Sequence, residues 1–414
     1  MFILFILISL TFQKNDYELL LEWGKNNSLE ISGKLQMNYI NENNKTFYTK
    51  EKILKNEILL KIPKSITLNI ENALNLYGKK FKKLYEEFLP KCKEYKINFM
   101  CEQTFLSYMM YKVNKSNKTK NNNFYKYYQY LFNTYESNLD SYPIFYSFEQ
   151  LYLIQFTSLA YSIDYIKKVY AGEMEIFEND LKLKKIEKDD YYVFRTFVSS
   201  KSYNNSGHAY VVPFIDMFNK HPTKYNLKIE ADEEIISVIA TRDISPSEPL
   251  LINCDYLANQ NALTLFGITF DEIIDKINTF HIPILNPLIL KNHNYENKET
   301  NLKLFFNQYI DIQKDKFYEY YIDIYKQISF DLDEDKSELS ALKLILENLE
   351  TLEELNSQIN ASHIYKYFYQ QKDIDNILRL FKADNKIIKE KIELMKKVIN
   401  NYEKKENKKI NKDL

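Results

Sequence analysis

The stretch from Val211 to Gly267 constrains the fold of this chain more than any other. It begins V-V-P-F-I-D-M-F-N (Val211 to Asn219) and continues into the β-type run I-I-S-V-I-A (Ile235 to Ala240). A polar turn, R-D-I-S-P-S-E, leads to a second apolar run, P-L-L-I-N-C (Pro249 to Cys254), and the stretch closes with N-Q-N-A-L-T-L-F-G (Asn259 to Gly267). Two apolar runs joined by a Pro-containing turn predict a β-hairpin. An Asn stands on each side of it, at 219 and 259. A purely helical scaffold does not account for this pattern, and the pattern alone names no chemistry.

The rest of the chain alternates short strands with long helical stretches. Asp16 can cap a short helix carrying Leu19, Leu20 and Trp23. Ile31 to Ile40 and Phe47 to Pro63 read as short strands, and about 71–190 reads as mainly helical. Apolar residues at helical spacing run from Phe99 to Val113, and their methionines read as core packing. Lys112 to Asn123 is a polar Lys/Asn run, expected as a solvated loop. After Phe270 the chain reads as helical again. Leu339, Leu342, Ile345, Leu346, Leu349, Leu352 and Leu355 form a stripe expected in a bundle core, with a coiled-coil seam as the alternative. The last residues, K-K-E-N-K-K-I-N-K-D-L, read as a disordered charged tail.

Length and composition bound the classes. The 414 residues suffice for two or three domains, and 45% apolar content supports a buried core. The 56 basic and 57 acidic side chains leave a net charge of −1, which argues against a global nucleic-acid footprint but not against a local basic patch. Cys92, Cys101 and Cys254 form no C-x-x-C pair, so the usual zinc clusters are excluded; the odd, low count argues against a disulfide framework. The first dozen residues, M-F-I-L-F-I-L-I-S-L-T-F, are too short to span a bilayer. They suit either the core of a secretory signal without its positive flank or a buried first element.

The blocks around Asn219 and Asn259 carry a resemblance. Pro213, Asp216, Met217 and Asn219, then Ser247-Glu248 at the turn, then Asn259 and Gly267, resemble in order and spacing the C-terminal half of a SET domain of the Rubisco large-subunit lysine methyltransferase family. Glu51 to Pro63 resembles the opening strands of that family, Tyr142 to Leu151 its helical insertion, and Tyr192 to Tyr203 its helix ending in S-R-S-F. The resemblance implies an α+β fold, a split SET domain followed by an all-α C-terminal domain. Its parts would be 13–70 and 191–270 for the two SET halves, 71–190 for the insertion and 271–414 for a helical domain similar to the family's substrate-binding domain.

It also implies a chemistry that requires no metal: methyl transfer from S-adenosyl-L-methionine to a nitrogen of a protein substrate, foremost lysine, with histidine as the target of one member. The compartment it implies is intracellular. Asn219 stands where the family anchors the cofactor, Lys220 where it has His, and Lys201 where it has the Arg of S-R-S-F. Cys254 occupies the place of the catalytic Tyr, and Tyr256 lies two residues on; in an extended backbone the two face one side with Cα atoms roughly 6.6 Å apart. Phe266 matches the aromatic that walls the lysine channel, or is simply core. The family's glycine turn falls on Asn43 to Thr46, where no glycine stands. The rival reading is a SET module that binds a partner without catalysis.

Overall fold

The computed structural model describes residues 20–41, 44–97, 100–116, 128, 132, 135, 139–155, 157–205, 208–254, 259–270, 279–283, 309–313, 325–326, 337–359, 361–368 and 370–413. The apolar N-terminal run, Asp16, Asn43, Phe99 and Tyr256 lie outside these residues. The chain divides into two compact units, 1–139 with 168–255, and 140–167 with 256–414.

The first unit is built on a sheet whose strands are β1 (Glu30–Ile31), β4 (Ile58–Pro63), β7 (Asn219–Lys220), β8 (Leu227–Ala231), β9 (Ile235–Ala240) and β10 (Leu251–Ile252). They form a six-stranded sheet in the order β1-β4-β9-β8-β10-β7. Separate antiparallel pairs join β2 (Leu35–Asn41) to β3 (Asn44–Thr49) and β5 (Ser202–Asn205) to β6 (His208–Val211).

The expected hairpin between Ile235–Ala240 and Pro249–Cys254 does not form. β9 pairs instead with β8, and β10 runs parallel to both β7 and β8. The tight turn lies elsewhere: Asp232 accepts the N–H groups of Glu234 and Ile235, at 2.8 and 2.7 Å, which closes β8 onto β9. The Pro-containing turn is used differently. Its Ile244 exchanges both backbone hydrogen bonds with Ile53, at 2.9 and 3.1 Å.

That exchange joins two similar turns, I-L-K-N-E-I-L-L (Ile53 to Leu60) and I-S-P-S-E-P-L-L (Ile244 to Leu251). Asn56 and Ser247 take the left-handed conformation, with φ of 67° and 64°. Each then donates its N–H across to the other half, Asn56 to Ala240 and Ser247 to Thr49, both at 2.8 Å. Glu57 and Glu248 each accept the N–H three residues back, from Leu54 and Ser245, both at 3.0 Å. Each carboxylate also meets a cation, Lys34 at 2.8 Å and Arg242 respectively. Arg242 foremost holds the Glu248 carboxyl below its ordinary range; at Glu57 burial pushes upward, but the Leu54 N–H and Lys34 prevail.

The helices of this unit include α1 (Ile70–Tyr77), α2 (Lys79–Glu94), α3 (Cys101–Ser116) and α6 (Lys188–Lys201), with the end of α5 (Ser158–Glu175). α3 continues the helix through Lys112–Ser116, so the expected loop does not start at Lys112; 117–123 lie outside the described residues. Cys92 and Cys101 are disulfide-bonded, contrary to the expectation from their count. The short connection between α2 and α3 brings their Cα atoms to 5.8 Å, within bridging range.

Behind the bond lies a buried charge pair. Arg195 of α6 and Glu173 of α5, each 1% exposed by side chain, pair through Nε at 2.8 Å and Nη2 at 3.0 Å. Thr104 donates to Glu173 at 2.7 Å and Tyr191 at 3.0 Å, so the carboxylate's lone pairs are satisfied. Burial, and then the Glu173 charge, push the Tyr191 hydroxyl well above its usual range, which keeps it a donor.

The second unit packs α4 (Phe148–Ile154), the start of α5, α7 (Asn259–Phe266), α9 (Ala361–Tyr367) and the start of α10 (Gln371–Asp413) around one core. Leu153, Leu159, Leu263, Ile364, Phe368, Ile377 and Leu380 belong to it. α4 opens on a capping box, Ser147 with Gln150. The leucine stripe falls in α8 (Glu338–Gln358), where Leu342, Ile345, Leu349 and Leu352 are buried, as a bundle core requires. α8 and α10 are bridged by Lys343–Glu403 at 3.0 Å and Lys396–Glu350 at 3.0 Å. Two differences stand out. The unit also holds an antiparallel pair, β11 (Thr279–Pro283) with β12 (Tyr309–Gln313), and α10 carries the charged tail as helix through Asp413. Lys and Glu have high helix propensity, so a run of them extends a helix already anchored upstream.

Asp384 of α10 generates a prediction. Its carboxylate accepts the N–H and hydroxyl of Ser158, all at 2.9 Å, at the start of α5. Burial pushes its pKa up to about 7, against the pull of those two donors. The folded value exceeds the ordinary Asp value of about 3.9, so the folded state binds this proton more tightly. Stability from this group is therefore full below about pH 4 and declines up to about pH 7, by at most about 4 kcal/mol. Urea unfolding of wild type and Asp384→Asn over roughly pH 5 to 8 checks this. The wild type should lose stability with rising pH relative to the variant; parallel curves would contradict it.

Candidate functional site

The segment leading to Asn219 starts strained. Phe214 is fully buried and holds φ of 67°, a conformation costly for a bulky side chain. Gly24 permits it, since a Cβ there would meet Leu29 Cδ2 at 2.5 Å and Phe214 Cε2 at 3.2 Å. A single 3-10 turn, Ile215–Met217, follows, and Phe218 packs on Phe47 of β3 with ring centroids 5.1 Å apart. The chain then enters β7.

β7 has two residues, Asn219 paired with Leu251 and Lys220 with Ile252. The Asn219 side chain is exposed, although its backbone is part of the ladder. Lys220 is half-buried and donates through Nζ to the Ser200 carbonyl at 3.3 Å. It thus sits at the negative end of α6, a favourable place for a cation. Lys201, the last residue of α6, is the next residue along and is half-buried. The structure therefore brings Asn219, Lys220 and Lys201 together. Cys254 lies two residues beyond β10, buried, and outside the disulfide. His221, next after Lys220, accepts through Nδ1 from the N–H of Lys224 at 2.9 Å and that of Thr223 at 3.1 Å, which turns the loop.

In the second unit Phe266 ends α7, half-buried. Gly267 caps that helix with φ of 64° and its N–H on the Leu263 carbonyl at 2.9 Å. A Cβ at Gly267 would meet the Ser141 carbonyl oxygen at 3.2 Å, so glycine is needed there twice over. Buried Asn376 fixes the same corner, donating to the Gly267 carbonyl at 3.1 Å and accepting from the Thr269 N–H at 3.0 Å.

Three supports of the site escaped the sequence reading. Asn226 is fully buried, accepts the Leu251 N–H at 2.9 Å and donates to the Pro249 carbonyl at 2.8 Å. Glu102, in the first turn of α3, accepts the Ala209 N–H of β6 at 2.8 Å and meets His208 Nδ1 at 2.8 Å. Gln103 donates to the Ser202 hydroxyl, next after Lys201, at 2.8 Å. Nothing in the sequence marks Asn226 among so many asparagines; the acid at the start of a helix was a legible signal for Glu102.

Asn226→Ala leaves the Leu251 N–H and the Pro249 carbonyl unpaired. It should lower stability by about 1–3 kcal/mol per orphaned group, read as the shift of the urea midpoint. An unchanged midpoint would mean that β10 is held by other contacts.

No protein-family model matches the chain, and no curated protein matches it in sequence. Solved structures do match. The SET domain of LSMT bound to lysine and AdoHcy aligns with a TM-score of 0.57 at 11% identity, covering 93% of this chain and 91% of that one. Rubisco LSMT bound to AdoMet aligns with a TM-score of 0.57 at 13% identity, covering 93% and 92%. Rubisco LSMT bound to sinefungin and monomethyllysine gives 0.55 at 13% identity, with 92% of each chain covered. The chain has an LSMT-like SET fold, mixed helix and strand with a helical C-terminal region.

Proposed function

We propose that the chain is an S-adenosylmethionine-dependent protein methyltransferase acting on a lysine side chain. The observation that carries this reading is the exposed Asn219 side chain, presented from a two-residue ladder of a SET fold beside the end of α6. An amide, with donors and an acceptor, suits the polar groups of such a cofactor, and the Lys201 ammonium suits its carboxylate. Lys220, bonded to the Ser200 carbonyl, adds a second positive charge beside Lys201. When bound, S-adenosylmethionine supplies an electrophilic methyl group on sulfur. The protein's share is then positioning and electrostatics. Phe266 is our candidate for the aromatic that walls the lysine channel, on the resemblance alone; an apolar wall disfavours the charged form of a lysine and so favours the neutral amine that reacts. A histidine nitrogen is the other nucleophile such a site can serve.

The second reading, a SET module that binds without catalysis, rests on Cys254. Its buried thiol is a weak donor and shorter than a tyrosine by a ring. If the protein is active, Tyr256 is our candidate for the missing hydroxyl. Substrate choice is assigned to the helical C-terminal part.

The test is transfer of labelled methyl groups to lysine-containing proteins. Tyr256→Phe should cost at least about tenfold in rate, about 1.4 kcal/mol of barrier, and Cys254→Ser should be mild. Loss of rate on Cys254→Ser with indifference to Tyr256→Phe would move the role to the thiol. An inactive wild type that still binds protein would favour the second reading.

A further inference from the structure

The formal charge of −1 conceals a local excess of cations in the first unit. The disulfide ties the end of α2 to the start of α3, so the opposite ends of these helices come together. Lys79 and Lys80 stand at the start of α2, both exposed, and Lys112 near the end of α3. A third segment reaches the same place. The Glu187 N–H is bonded to the Tyr111 hydroxyl at 3.1 Å and the Leu183 N–H to the Phe177 carbonyl at 3.0 Å, which fixes exposed Lys182, Lys184 and Lys185 beside α3.

Lys112 is the centre of this cluster. Its Nζ lies 5.4 Å from the ring centroids of both Tyr108 and Tyr111, so its position is set from below. Partial burial, then the charges of Lys184 and Lys80, hold its ammonium below the ordinary range. Two of the nearby acids are engaged elsewhere, Asp190 with Lys115 at 2.5 Å and Glu178 with the Ile186 N–H at 2.6 Å, while Glu187 and Asp189 stand exposed on the same segment. Among the described residues no acidic side chain pairs with Lys80, Lys112 or Lys184. Like charges held together without a counter-charge cost stability, and a bound anion removes that cost.

The chemistry of the anion follows from what the cluster lacks. Tyr108 and Tyr111 are 3% and 4% exposed, so their rings offer no platform on which a base could stack. The cluster residues are all lysines, without the arginine fork that reads a planar carboxylate or a guanine edge. It presents no aromatic or arginine anchor of the kind on which protein interfaces depend. What remains is a pair of point charges, Lys80 and Lys184, acting on one half-buried amine, with further exposed lysines on the same segments.

We propose that this lysine cluster is a binding site for a compact group of phosphates, carried by a free inositol polyphosphate or by a phosphoinositide headgroup. The site lies apart from the residues assigned to methyl transfer and does not depend on that reading. The probes are inositol hexakisphosphate, followed by calorimetry on the full chain, and phosphatidylcholine vesicles with and without phosphatidylinositol bisphosphate, followed by sedimentation. At least one should bind. Lys184→Gln and Lys112→Gln should each weaken binding by about fivefold. Lys61→Gln, whose lysine pairs with Glu30 on the sheet at 2.8 Å, should leave it unchanged. Bound probe should also protect Lys112 from reductive methylation. Binding of the soluble probe alone assigns a free polyphosphate, and binding of vesicles assigns a headgroup. Failure of both probes overturns the site, as does equal weakening by Lys61→Gln. Displacement of the probe by duplex DNA at lower total phosphate would replace it with an extended backbone partner.

Discussion

Leu251 and Ile252 hold Asn219 and Lys220 in place, and a two-residue parallel ladder cannot do this alone. Its strength is borrowed. Asn226 supplies from its side chain the partners that a longer strand would offer to Leu251 and Pro249. β8 pairs with β10 on the other side, and β9 and β4 extend the sheet behind it. The exchange between Ile53 and Ile244 then sets where the chain must stand when it reaches Leu250. Three residues assigned to the site in this unit are placed through that arrangement, Asn219 and Lys220 by pairing and Cys254 by its distance beyond β10, while Lys201 is placed as the last residue of α6.

A second set of contacts fixes the other side. The first turn of α3 carries Cys101 in the disulfide, Glu102 on β6, Gln103 on Ser202 and Thr104 on Glu173. Of these four consecutive residues, Cys101 and Thr104 tie α3 to its neighbouring helices, and Glu102 and Gln103 tie it to β6 and to the start of β5, next after Lys201. The buried Arg195–Glu173 pair stiffens the helices behind them. Such a pair is costly to desolvate and tolerates little change in geometry, which suits a support for a site more than a source of stability.

The SET fold was legible because three blocks kept their order and spacing around Asn219 and Asn259. The helical stripe of α8 was legible for a different reason, since its periodicity reports one buried face directly. The strand pairing was not. Adjacent apolar runs suggested a hairpin, whereas β9 turned back on β8 through Asp232, an Asx turn hidden among common acids. The twin turns were written as a repeat, I-x-x-x-E-x-L-L at Ile53 and Ile244, but without glycine at Asn56 and Ser247 the turn signal was weak. The disulfide depended on a 5.8 Å approach that no count of cysteines reveals. Tyr256, on which the catalytic reading leans, lies outside the described residues.

The central claim is that Asn219 and its neighbours bind S-adenosylmethionine. Calorimetric titration of the full chain with this cofactor, beside Asn219→Ala, tests it most directly. The account predicts binding by the wild type and a loss of about 1–3 kcal/mol in the folded variant. No detectable heat at about millimolar cofactor, where a weak site still binds, or equal affinity in the two proteins, would contradict it.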